Sequence, residues 1–331
     1  MIRMQTEVVQ LRYDALTGIR FIAAFGVFVA HFGHFDFGAQ GVSLFFVLSG
    51  FILTKVYTEK PWTPGQFYWA RFARIYPAYF ISLAFALPVY WHLIRTHEHP
   101  GWFMASVLAM LHAWEPSTAH FWNNPSWSLS AEALFYFVFP FVLPWFNLRV
   151  RNLVAAIAIM WLLQTAIQLT GDYSDGGQFI SKLPPLRLPE FLIGIAFGRL
   201  HGTARIPWAL PVSAGLIVLA AFLMPPFATH TVLAPIYGLL LIGLTEHRGF
   251  LASKTMVLLG EASYSFYLLH LPVMFWVVGL ERFVTGPIPL VLKAPLLFTL
   301  TLGLSLLSLL VIERPARAWL LSRRPAQLDT K

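Results

Sequence analysis

The stretch PLVLKAPLLFTLTLGLSLLSLLVI, Pro289 to Ile312, holds one charged residue, Lys293, in 24 positions. As a helix it would extend about 36 Å, more than the roughly 30 Å hydrocarbon core of a bilayer. No soluble core needs a helix of that length with no polar face. The rest of the chain agrees: of 331 residues, 57% are hydrophobic and 11% charged, and the mean hydropathy is +0.66. A soluble chain carries about a quarter charged residues. The reading is an all-α, polytopic transmembrane helical bundle forming one integral membrane domain over residues 1–331.

Ten spans are expected. They run from Leu16 to Gly33, Gly41 to Tyr57, Phe72 to Ile94, Ser130 to Phe146, Leu153 to Leu169, Leu188 to Leu200, Pro207 to Met224, Val232 to Leu244, Ser263 to Leu280 and Pro289 to Ile312. Several are short or interrupted. Trp102 to Trp114 is too short to cross and reads as a re-entrant or outer-surface segment. With ten crossings and cytoplasmic N- and C-termini, 18 of the 23 Lys and Arg residues fall inside. Only Arg95, Lys182, Arg187, Arg282 and Lys293 fall outside, the asymmetry of the positive-inside rule. Met1 to Gln10 has no signal-peptide core, so the first helix is expected to stay uncleaved. The formal charge of +8 is spread in small groups between apolar runs, which argues for membrane orientation rather than nucleic acid. There is no cysteine, which removes thiol nucleophiles and disulfides.

Ionisable residues inside spans are costly and each needs a reason. Arg20 and His31 lie on the first span eleven residues apart, about 16 Å along a helix, with His34 on the same side as His31. Snorkelling by Arg20 and packing by His31 are the structural alternative. Glu132, in Trp127-Ser128-Leu129-Ser130-Ala131-Glu132, begins the fourth span at its outward end and is expected at the depth of His31, where it would orient the imidazole. Ser128 or Ser130 as a helix cap, with Glu132 against the positive helix end, is compatible with that role. Arg71 and Arg74 share a helical face at the inner start of the third span, suited to bidentate phosphate binding or to simple anchoring on lipid phosphate. Ser263, Tyr267 and His270 form a polar stripe that either lines a cavity or joins helices. Glu190 has the same two readings. His97, Glu98 and His99 form a solvated loop, and no metal is expected.

In order along the chain, Arg20 and His31, then Gly41 to Phe51 (GVSLFFVLSGF), Arg71-Phe72-Ala73-Arg74-Ile75-Tyr76-Pro77, Trp127 to Glu132, Leu188 to Gly194, Tyr264 to His270 and Ile312-Glu313-Arg314-Pro315 resemble the family 3 membrane acyltransferases. The resemblance covers about residues 12–318. It implies a multi-pass protein of the bacterial inner membrane that moves an acetyl or other short acyl group from acyl-CoA, as donor substrate with no bound cofactor, to a hydroxyl of a carbohydrate acceptor. Typical acceptors are sugars of lipopolysaccharide, exopolysaccharide, peptidoglycan, Nod factors or macrolide glycosides. It maps the catalytic roles onto His31, Arg20 and Glu132 and acyl-CoA binding onto Arg71 and Arg74. His34, Ser128, Ser130, Ser263, Tyr267, His270 and Glu190 are expected to line the cavity or bind acceptor. Ala133 and Leu134 stand where the family often has acidic and glutamine residues, and Leu269-His270-Leu271-Pro272 where it often has Trp-His-Trp-Pro. The competing class is a transporter using the same Arg, His and Glu as a substrate or proton pathway.

Overall fold

The computed structural model describes residues 13–33, 38–59, 61–115, 118–119, 122–170, 181–201, 203, 206–223 and 232–323, and among these there is no strand. The helices are α1 (Asp14–Gly33), α2 (Gly38–Thr58), α3 (Pro64–Thr96), α4 (Pro100–Leu108), α5 (Trp127–Val142), α6 (Val150–Thr170), α7 (Pro184–Leu200), α8 (Ala209–Leu223), α9 (Ala234–Thr245), α10 (Lys254–Leu280), α11 (Leu290–Ser308) and α12 (Arg314–Ser322). Seven helical segments are long and apolar enough to cross a membrane. The sixth, seventh and eighth expected spans correspond to α7, α8 and α9, of 17, 15 and 12 residues.

Local sequence sets the helix ends. α3 starts at Pro64, well before the expected Phe72, because Thr63 accepts from the Gln66 amide and the Gln66 side chain accepts from the Thr63 amide, both at 3.3 Å. This capping box starts the helix about two turns ahead of Phe72, upstream of the charged Arg71. α10 likewise starts at Lys254 rather than Ser263, with Ser253 accepting from Met256 N at 3.3 Å.

Two seams of close backbone approach organise the bundle. A Cβ on Gly50 of α2 would strike the Phe191 carbonyl oxygen, and one on Gly194 of α7 would strike that of Val47. On the second seam a Cβ on Gly260 of α10 would strike the Thr17 carbonyl oxygen of α1. Small residues at helix contacts are the usual means of such approach. Residue numbers rise together along both seams: Ser43 meets Glu190 near the start of α2 and α7, while Phe21 meets Phe266 and His31 meets His270 along α1 and α10. Each pair is therefore parallel, as alternating crossings require of the first and ninth spans and of the second and sixth. The surrounding core is aromatic, with Phe135 stacked on Phe191 at 4.8 Å and Phe67 on Phe139 at 5.0 Å.

The run from Trp102 to Trp114 turns back. α4 ends in a Schellman turn, with Leu111 N donating to Ser106 O at 2.7 Å and Met110 N to Val107 O at 2.9 Å. Met110, at φ 59°, takes the left-handed position that glycine usually fills. The following α5 is antiparallel to α3: Trp122 donates to Leu83 O and Tyr68 to Phe137 O, both at 3.0 Å. The hairpin is pinned by His112, which is fully buried. Ser126 gives its proton to Asn123 O at 2.6 Å and so accepts from His112 Nε2 at 3.1 Å. Ser130 accepts from Ala113 N at 3.3 Å and donates to His112 Nδ1 at 3.4 Å. Both ring nitrogens are satisfied in the neutral form.

Two outcomes follow. Gly194→Val places atoms into the α2 backbone and is expected to lower stability by about 3 kcal/mol or more, read as loss of the folded peak in size-exclusion chromatography, whereas Gly279→Ala, which meets open space, leaves it unchanged. Burial pushes His112 from 6.5 down to about 4. Between those values the unfolded chain binds the extra proton and the fold does not, so stability present above pH 6.5 is lost as pH falls toward 4, by up to about 3 kcal/mol. Thermal unfolding from pH 7 to 4.5 should show a smaller acid loss in His112→Asn than in wild type.

Candidate active site

Two helices supply the cations. α1 supplies Arg20, and the i, i+3 spacing of α3 puts Arg71 and Arg74 on one face; with Glu132 and Tyr136 of α5 and Ser49 of α2 they line a cavity of about 200 Å³. Arg20 lies within direct charge range of Arg74, Glu132 and Glu313. Glu313 is buried and accepts from Ser265 at 2.6 Å. The Arg71 guanidinium sits 5.7 to 5.8 Å from the rings of Tyr57, Phe67 and Tyr136. Its buried Nε has no hydrogen-bond partner, and among the described residues the ion pairs are Arg187–Glu190, Lys293–Glu281 and Arg314–Glu261. The chamber thus has positive charge and donor capacity left for an anion.

From this chamber a narrower one of about 40 Å³ leads onward, sharing Arg20, Phe45 and Glu132 and adding Ser128, Leu129, Tyr264 and Tyr267. Tyr267 donates to Pro125 O at 2.8 Å, and its ring lies 5.9 Å from that of His270. His270, fully buried, gives its Nδ1 proton to Tyr267 O at 2.5 Å. Its Nε2 is then a lone pair, 3.4 Å from His31 Nδ1. His31 Nδ1 also donates to Val27 O, at 2.9 Å. These contacts hold the His31 proton on Nδ1 and leave Nε2 unprotonated on an exposed ring, the form that accepts a proton. Lys182, which donates to Asn124 Oδ1 at 3.2 Å and which burial pushes down to about 8, is within charge range of His31.

The expected residues divide between these two places. Glu132 does not reach His31: its charged neighbours are Arg20, Arg71 and Arg74. It lies more than a turn inside α5, which places it at the depth of Arg20; the imidazole partner of His31 is His270. Neither serine caps α5, since the N-cap Ser126 makes no side-chain cap bond; Ser128 donates to Pro125 O and Ser130 holds His112. Ser128 and Tyr267 line the inner chamber. Ser263 does not, because its hydroxyl is buried against Gly260 O at 2.7 Å. Glu190 is buried in an ion pair, 3.0 Å from Arg187, and accepts from Ser43 at 2.8 Å. His34 lies outside the described residues. Tyr136, Tyr264 and Lys182 had no assigned role in the sequence; the i+4 spacing of Tyr136 from Glu132 and the i+3 spacing of Tyr264 to Tyr267 are the signals that could have found the first two.

The comparisons with known proteins accord with this arrangement. Residues 13–310 match the family described as an acyltransferase domain. Acyltransferase MdmB of Streptomyces mycarofaciens is 30% identical over 313 residues, 80% of this chain and 79% of that one. Exopolysaccharide production protein ExoZ of Rhizobium meliloti is 32% identical over 253 residues, 72% and 77% of the two chains. O-acetyltransferase OatA of Staphylococcus aureus is 24% identical over 83% of this chain and 52% of its own. No solved structure matches. A helical bundle with a cation-lined chamber, a match over nearly its whole length and relatives named as acyltransferases together show that the chain belongs to the acyltransferase family 3 of membrane proteins.

Proposed function

We propose that this enzyme transfers an acetyl group from cytoplasmic acyl-CoA to a hydroxyl of a cell-surface or secreted glycan, with His31 as general base. The observation that carries the reading is the sequence of spaces. A chamber with Arg20, Arg71 and Arg74 in its wall opens into a narrow neck that ends at Tyr267, beside the His31 and His270 pair. The guanidiniums suit the phosphates of coenzyme A, and the rise of about 16 Å from Arg20 to His31 suits an extended pantetheine arm. The relatives named for exopolysaccharide production and O-acetyl transfer support a glycan hydroxyl as acceptor and acetyl as the group moved.

In the reaction, His31 Nε2 takes the proton of the acceptor hydroxyl as its oxygen attacks the thioester carbonyl. The carbon–sulfur bond then breaks, the acyl group stays on the acceptor oxygen as an ester, and the imidazolium returns its proton to the leaving thiolate. His270 is a positioning residue: its lone pair and the Val27 carbonyl hold the tautomer. Glu132 acts at the other end of the path, setting the charge and orientation of Arg20 and its neighbours.

The test is CoA release from acetyl-CoA by purified protein with a panel of envelope glycans, with mass spectrometry of the products. His31→Ala is expected to lower kcat by about 10² to 10⁴. His270→Ala should lower kcat with KM for acetyl-CoA unchanged and displace the pH profile. Equal acetylation by His31→Ala rejects the base assignment, and substrate flux across sealed vesicles without covalent change rejects acyl transfer itself. The neck also sets acyl length. Leu129, buried in its wall, is expected on replacement by Ala to raise butyryl over acetyl turnover by about tenfold or more.

A further inference from the structure

A second cavity adjoins the first through a shared wall. It encloses about 310 Å³ between α3, the tip of the α4 turn and α5, and its lining is apolar apart from Arg71 and the tyrosines. Arg71 and Tyr136 line both spaces. The cavity opens sideways, because its rim residues Phe72 and Phe137 are 41% and 62% exposed on helices that cross the membrane. An apolar trough open to the bilayer, with a guanidinium at one end, has the shape and charge of an amphiphile carrying a phosphate.

Two features of the chain support a built site. The first is the buried Nε of Arg71, a donor with no partner. The second is Met110. The α4 turn places this residue at φ 59°, where glycine terminates helices without steric cost and a methionine does not. The strain is retained where the side chain walls the trough beside Ile75, and a thioether chain adapts well to a flexible hydrocarbon partner. Ala133, on the facing helix, contributes a small side chain at the same level and leaves the trough open.

We infer that this lateral trough binds one phospholipid from the leaflet on the Arg71 side, with an acyl chain along Ile75, Met110 and Phe137 and the phosphate on Arg71. Arg71 is shared with the chamber assigned to coenzyme A, but the test needs no turnover, so its failure is distinguishable from failure of the acyl-transfer reading. The occupant is a membrane lipid rather than a soluble phosphate because the trough offers mostly hydrocarbon surface and opens to the bilayer.

The experiment reconstitutes the full-length protein in nanodiscs of phosphatidylcholine with one-fifth phosphatidylglycerol carrying a diazirine in its acyl chain, and maps the crosslinks by mass spectrometry. Labelling is expected to concentrate on Leu108 to Met110 and Ala133 to Phe137, about tenfold above that on Leu162 and Leu163, which face outward on α6 and report bulk lipid. Ala133→Trp should remove the concentrated labels and leave those on α6. A diacylglycerol with the same chain should label the trough about tenfold less, as expected for loss of a charge-assisted contact. Labelling in the trough no denser than on α6 overturns the proposal, as does equal labelling by diacylglycerol. The wild-type map decides the question if Ala133→Trp fails to fold.

Discussion

Contact between the backbones of α1 and α10 governs the geometry of the site. Gly260 brings α10 against the Thr17 backbone of α1, and Gly18 brings the turn at Leu251, just before α10, against the same part of α1. The parallel course that follows carries Phe21 to Phe266 and then His31 to His270. A helix is rigid over this length, so fixing one end fixes the other. Arg20 and His31, eleven residues apart on α1, are thereby held at two set depths, and the space between them is bounded by Tyr264 and Tyr267 of α10. A larger side chain at the seam would displace both levels of the site together.

Buried charge is treated in two ways. Arg187 and Glu190 pair at 3.0 Å, and Ser43 binds both, donating to Glu190 at 2.8 Å and accepting from Arg187 at 2.9 Å. Such a pair is costly to desolvate and costly to break; here it joins the start of α2 to α7, and its function is to hold two helices in register. The guanidiniums around the first chamber are arranged otherwise. Arg20, Arg71 and Arg74 face Glu132, with Glu313 near Arg20 and Arg74, and the cationic surplus is what distinguishes a ligand site from an internal tie.

Much of this was legible in the sequence because it depends on periodicity. The apolar runs located the helices, the short run after Arg95 announced a segment that turns back, and the i, i+3 spacing of Arg71 and Arg74 put both into one cavity. What periodicity cannot supply is the relative depth of residues on different helices. Glu132 was expected beside His31 because both were assigned to outward ends. The structure instead has α5 begin well short of the C-terminal end of α3, with Trp122 level with Leu83, so Glu132 falls to the depth of Arg20. The His31 and His270 pair joins residues 239 apart in the chain, and no local pattern encodes that meeting. The start of α3 was placed too late for a different reason: Arg71 interrupts the apolar run, and the helix begins ahead of it at the cap on Thr63.

The neck between the chambers has one more consequence. Its volume of about 40 Å³ admits only a few water molecules, and Phe45, Phe46 and Leu129 form much of its wall. A polar path running from an exposed histidine toward a chamber lined by three arginines would, if it were wide and wet, conduct ions and protons along the bundle. A constriction lined by rings and a leucine interrupts that conductor. The same apolar lining that limits what passes along the path therefore also makes the neck a poor conductor of ions between the chamber and the histidine pair.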